Sequence, residues 1–209
     1  GRVAANARRG RDVAGPFAQH PIEEVRALVQ LQHPGGGVVL AAIERGDALE
    51  MATVKRALTG IDAVIQSLGV SSGPETILRP TRFFSKATQV LVTAMQEARI
   101  KRLICVTGFG AGDSRGSSGF LYNVAFHLLL GRIYDDKDVQ ERIVRRSKLD
   151  WVIVRPVILT DGPKTNAYRA LVNPRRWTWG FISRADVADF LVKQIDDDAF
   201  LHKTPVLTS

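Results

Sequence analysis

The sequence predicts an α/β protein built on a doubly wound parallel sheet, and two observations carry that prediction. Short β-branched apolar runs recur along the 209 residues, and amphipathic helical stretches fill the gaps between them. The runs show little apolar–polar alternation, which is the pattern of strands covered on both faces.

In chain order the first two runs are 24–29 (EVRALV) and 38–43 (VVLAAI), joined across the turn Gly35-Gly36-Gly37. The second contains two alanines, which also suit a helix. Residues 49–58 place Met51, Val54 and Leu58 on one helical stripe, and 62–68 (DAVIQSL) returns to strand. A helix over 88–98 follows, with Val90, Leu91, Ala94 and Met95 on its apolar face. The run 102–107 (RLICVT) is a strand with Cys105 packed at its centre. Residues 136–147 set Val139, Ile143 and Val144 on one helical face and Lys137, Glu141 and Arg145 on another. The strand 151–155 (WVIVR) comes next. The last helix spans 183–195, with Ser183 as N-cap and Asp186 at the third helical position.

Composition narrows the function classes. With 45% hydrophobic and 24% charged residues the chain can bury a core, so it is neither disordered nor fibrous, and residues 1–209 read as a single domain. The longest apolar run, 120–130, is broken by Tyr122, Asn123 and His127 and falls short of the roughly 18–20 residues of a membrane span. One cysteine excludes a disulfide framework and fits a reducing, cytoplasmic setting. The histidines (His20, His33, His127 and His202) have no paired spacing, so no metal site is expected. The net charge of +8 is dispersed rather than interleaved with aromatics, which argues against nucleic acid as the partner. A small-molecule substrate is expected, bound by a monomer or homodimer.

Ligands of such sheets lie beyond the carboxyl ends of the strands. The residues there are Gln30, Gly46-Asp47, Ser67-Leu68-Gly69, Thr107-Gly108 and Arg155-Pro156. Ser67 and Gly69 are small enough for a ribose or pyrophosphate to approach the backbone. The stretch 107–112 (TGFGAG) does not open a helix directly, because 113–119 intervenes. It therefore fits an active-site loop with the Thr107 hydroxyl facing the crevice better than a phosphate loop.

Taken together, RLICVTGFGAGDSRG, the helix with Lys137, KLDWVIVRPVILTDGP and FISRADVADFLVKQI resemble the atypical short-chain dehydrogenases/reductases. The nearest branch is the NAD(P)H-binding, NmrA-like and flavin-reductase-like one, and the likeness runs over about residues 24–208. It implies a Rossmann-like sheet with a small C-terminal substrate lobe around 157–182, and an NAD(P) cofactor. It sets Asp47 of RGDALE against the adenine amino group with the Ala48 backbone beside it. Ser67, Leu68 and Gly69 would cross the adenosine ribose and pyrophosphate. Thr107 stands where the family has its active-site Ser or Thr, and Lys137 where the family lysine bonds the nicotinamide ribose. Pro156 and Val157 resemble the turn that closes over the carboxamide.

The sequence departs from that pattern twice. The family's catalytic Tyr precedes the Lys by four residues, where this chain has Ile133. Tyr134 is spaced by three, about a hundred degrees round the helix from the required position. The catalytic candidates are thus Thr107, Lys137 and Tyr134. At the start, the expected GxxGxxG reads Ala4, Ala7, Gly10, so only Gly10 is kept, and the first strand and Gly-rich loop are expected to be truncated or degenerate. Gln30 offers no carboxylate to the adenosine ribose, and Arg8, Arg9 and Arg11 lie near the pyrophosphate loop, so NADP is the expected cofactor with NAD left open. The expected function is hydride transfer to a small planar acceptor of flavin or quinone type against an aromatic wall of Tyr168, Trp177 and Trp179, beside Arg175-Arg176. The alternative is a non-catalytic NAD(P)-sensing or scaffold protein of NmrA-like type.

Overall fold

The computed structural model describes residues 24–26, 45–69, 82–114 and 134–209. Two three-residue strands, β1 (Glu24–Arg26) and β2 (Arg45–Asp47), form an antiparallel ribbon. Then follow α1 (Met51–Ala57), β3 (Ala63–Gln66), α2 (Phe83–Glu97), β4 (Arg102–Val106), α3 (134–146) and β5 (Asp150–Pro156). The C-terminal part contains β6 (Ile158–Thr160), β7 (Arg169–Leu171), β8 (Phe181–Ser183), α4 (Arg184–Lys193) and β9 (Val206–Thr208).

The main sheet has the order β3-β4-β5-β9-β7. The first four strands run parallel, and β7 closes the end antiparallel to β9. The register sets Ala63 beside Arg102 and Arg102 beside Asp150, so the three strands finish at one edge. Alternate side chains feed two cores. Ile65, Ile104, Val152 and Val154 pack with Val187, Phe190 and Leu191 of α4. Val64, Leu103, Cys105, Trp151 and Ile153 pack with Val92 and Met95 of α2 and Val144 of α3. Cover on both faces is why these strands lack polar alternation.

The expected strands 62–68, 102–107 and 151–155 correspond to β3, β4 and β5. The helices expected at 49–58, 136–147 and 183–195 appear at nearly the same bounds. Helix α2 begins at Phe83, five residues before the expected 88, because Phe83, Phe84 and Ala87 bury a cluster of their own against Ala48 and Leu68. The run 24–29 was expected in the parallel sheet, whereas residues 24–26 pair antiparallel with β2 in a separate ribbon. Residues 38–43, Gly10, Gln30 and Arg8, Arg9 and Arg11 lie outside the described residues. Among the described residues no helix is long and apolar enough to cross a membrane.

Helix α4 ties down the C-terminal lobe. Ser183 caps it as expected: its Oγ accepts from Asp186 N at 3.0 Å and donates to Asp186 Oδ2 at 2.9 Å. Asp186 also accepts from the Thr165 and Asn166 amides and the Thr165 hydroxyl, which pins 165–166 to the helix start. Replacing Ser183 by Ala is expected to cost about 1 kcal/mol, read as a lower urea midpoint at unchanged slope.

Candidate active site

Three turns leave the carboxyl edge of the sheet side by side. The first is Ser67–Gly69 after β3, where an added Cβ on Gly69 would meet none of the described residues within 4 Å. The second is Thr107-Gly108 after β4, and the third is Pro156-Val157 at the end of β5. Ladder bonds carry on into them: Thr107 N donates to Val154 O at 2.9 Å, Phe109 N to Pro156 O at 3.0 Å and Val157 N to Leu207 O at 3.0 Å. The backbone N–H of Val157 is therefore already bonded. Ala48 and Leu68 meet on the Phe83–Phe84–Ala87 cluster, which brings the turn after β2 beside the turn after β3. Asp47 Oδ1 accepts from Leu49 N at 2.8 Å and shapes the entry to α1.

Helix α3 brings the polar groups to this edge. Asp136 accepts from the amides of Phe84 at 2.8 Å and Ser85 at 3.3 Å, capping α2 from another element because the N-cap residue Arg82 supplies no side-chain cap. One residue on, Lys137 is buried, donates to Thr107 O at 3.1 Å and lies 4.2 Å from the centroid of the Phe84 ring. Burial pushes its ammonium down to about 8, against the opposing pull of Cys105, Glu141 and Asp136. A Cβ added to Gly108 would meet the Tyr134 hydroxyl at 3.1 Å, so that hydroxyl stands over the turn that Lys137 holds. Tyr134 reaches this turn from a position about a hundred degrees round the helix from residue 133. Residues three apart share a helical face, and the long phenol reaches the turn that Lys137 bonds.

Arg155 was expected only as a strand-end residue and Glu141 not at the site, yet they form the most buried ionic contact of the described residues. Both are essentially inaccessible. Arg155 Nε donates to Glu141 Oε1 at 2.9 Å and Nη2 to Oε2 at 2.7 Å. The Thr107 hydroxyl donates to Glu141 Oε1 at 2.9 Å. It points into this cluster and not freely into the crevice, as the sequence had suggested. The signal was present in the sequence: an arginine inside VIVRP, a strand otherwise apolar, and a glutamate four residues after Lys137 on one helical face.

The loop after β4 closes over the pair. Gly112 has φ +56°, its N–H donates to Asp138 Oδ1 at 2.6 Å, and an added Cβ would collide with Glu141 Oε2 and Arg155 Nη2. Gly112→Ala is expected to cost about 1–3 kcal/mol in urea unfolding, from the left-handed backbone and the overpacking together.

Arg155 Cζ also lies 5.6 Å from the Trp177 ring centroid, and Phe109 makes edge contacts with Trp177 at 6.2 Å and Trp179 at 4.8 Å. Of the expected aromatic wall, Trp177 and Trp179 converge on the β4 loop and Tyr168 does not. Its hydroxyl donates to Asp189 at 2.7 Å and its ring packs on Phe190. Hydrogen bonds from Lys164, Lys193 and Tyr168 hold Asp189 well below the usual carboxylate range, which fixes Tyr168 on the α4 side. Cys105 is buried among Gln66, Thr88 and Gln140, and burial pushes its thiol up to about 12, consistent with a packing role.

The fold defines a Rossmann-like α/β protein. Residues 6–198 match the family described as NAD(P)H-binding, and the chain belongs to that family. It is 30% identical over 207 residues to the uncharacterized sugar epimerase YhfK of Bacillus subtilis strain 168, covering 93% of this chain and 86% of that one. Among solved structures, ChuY, an anaerobillin reductase from Escherichia coli O157:H7, is 26% identical with a TM-score of 0.64, over 78% of this chain and 72% of that one. A wide-type short-chain dehydrogenase/reductase of Veillonella parvula in complex with NADP shares the fold at 17% identity and TM-score 0.63, over 78% and 70% of the two chains.

The described edge suits a dinucleotide. Among the described residues none crowds Gly69 beside the β3 turn, and the Lys137 ammonium has three N–H donors, of which one goes to Thr107 O.

Proposed function

We propose that the carboxyl edge of β3, β4 and β5 holds NADPH, with NADH as a weaker alternative, and that the bound cofactor passes hydride to a small planar acceptor of flavin or quinone type. The observation that carries this reading is the convergence of the Lys137 ammonium and the Tyr134 hydroxyl on the Thr107-Gly108 turn. Lys137 bonds the nicotinamide ribose hydroxyls, and Ser67, Leu68 and Gly69 follow the adenosine ribose and pyrophosphate. Asp47 and Ala48 border the adenine, and Pro156 and Val157 shape the turn against the carboxamide. Trp177 and Trp179 stand beside the β4 loop as the wall for a planar acceptor, within a single domain whose lobe spans about 157–182. Tyr134 is the group placed to give a proton to the reduced acceptor. NADPH supplies the hydride, and the protein supplies position and electrostatics.

Ile133, at the position four residues before Lys137, favours a second reading, in which the occupied crevice signals to a protein partner without turnover. A panel of flavins and quinones separates the two. Acceptor-dependent loss of the near-ultraviolet absorbance of NADPH is expected, falling at least tenfold in Tyr134→Phe if the phenol delivers the proton. Saturable NADPH binding with no consumption across the panel would discard the reductase in favour of the sensor.

A further inference from the structure

The polarity of the Thr107 hydroxyl is set by what lies behind it. Arg155 is fully buried and permanently charged, and it grips both oxygens of Glu141. Glu141 in this grip is a carboxylate, which accepts hydrogen bonds and donates none. The 2.9 Å contact from Thr107 Oγ1 to Glu141 Oε1 must then use the hydroxyl proton. Its N–H is also taken, by Val154 O, and its carbonyl accepts from Lys137. No donor is left on the residue, and what Oγ1 retains is its lone pairs.

We infer that Thr107 is a hydrogen-bond acceptor in the cofactor site, with Glu141 and Arg155 as the positioning residues that make it one. It therefore takes a donor, the carboxamide NH2 of the nicotinamide, and does not donate to a carbonyl of cofactor or substrate. This inference rests on the NAD(P)H reading above and adds a direction to it. A serine or threonine at a strand end otherwise donates and accepts freely, and here the buried ion pair removes the choice.

The test compares NADPH with its reduced acetylpyridine analogue, in which a methyl replaces the carboxamide NH2 and the carbonyl is kept. Dissociation constants are measured by calorimetry without acceptor. Wild-type protein is expected to bind the analogue roughly tenfold more weakly than NADPH, the scale of one unmet hydrogen bond. Thr107→Val keeps the shape and the Glu141–Arg155 pair, and it is expected to weaken NADPH by a similar factor and to bind both nucleotides alike. Glu141→Gln, where it folds, is expected to shrink the same ratio, which a merely structural role would leave unchanged. Equal wild-type affinity for the two nucleotides, or a ratio that survives Thr107→Val, overturns the inference while leaving the NAD(P)H site standing. Binding of neither nucleotide overturns both.

Discussion

Arg155→Met is expected to lower the unfolding free energy by roughly 3–5 kcal/mol, the cost of leaving a buried carboxylate without its partner. Glu141 would keep the Thr107 hydroxyl and a 3.5 Å contact with the part-exposed Arg145, neither of which replaces a bidentate guanidinium. The loss should show in urea unfolding as a lower midpoint at unchanged slope. Removing both charges in Arg155→Met/Glu141→Leu should recover most of it, since a well-packed apolar pair of similar volume is often as stable as a buried ion pair. The double variant should nevertheless bind NADPH poorly, because Thr107 and the Gly112 turn lose their common anchor. A cost below about 1 kcal/mol for the single variant would mean that solvent reaches the pair.

Lys137→Met is expected to move binding and stability in opposite directions. Losing a charge-assisted donor to the ribose hydroxyls should weaken NADPH by tenfold or more. The ligand-free protein should gain up to about 3 kcal/mol at neutral pH, because folding no longer has to bury an ammonium. Folded Lys137 titrates near 8 and the unfolded side chain near 10.5. Between those values the unfolded chain binds the extra proton at Lys137, while above about 9 the buried Cys105 thiol acts in the opposite direction, so the rise in wild-type stability is confined to about pH 8–9. Below about 8 both states are protonated and the penalty is constant. The variant should show no such rise. NADPH affinity of the wild type should fall as pH passes 8, when the ammonium becomes a neutral amine, and that of the variant should stay flat.

The parts of the molecule readable from sequence are those where one physical pattern covers several residues. Strands β3, β4 and β5 are buried on both faces and spell continuous β-branched runs. The Ser183 cap is a local pattern that tertiary structure has no reason to override. Strands β6 to β9 escaped because three residues cannot display a period, although all three residues of β9 are buried. At the site, the family resemblance singled out Lys137, which α3 places against the Thr107 carbonyl. The acid that polarises Thr107 was less legible, because Glu141 on α3 and Arg155 on β5 meet only after α3 packs against β5.

The most direct test of the nucleotide crevice is a titration of the full chain with NADPH, followed by energy transfer from its three tryptophans, two of which border the β4 loop. The predicted result is saturation at one nucleotide per chain well below millimolar, weakened tenfold or more in Lys137→Met and little changed in Ser183→Ala. A folded protein that shows no saturable transfer up to millimolar NADPH, or saturation indifferent to Lys137, would contradict it.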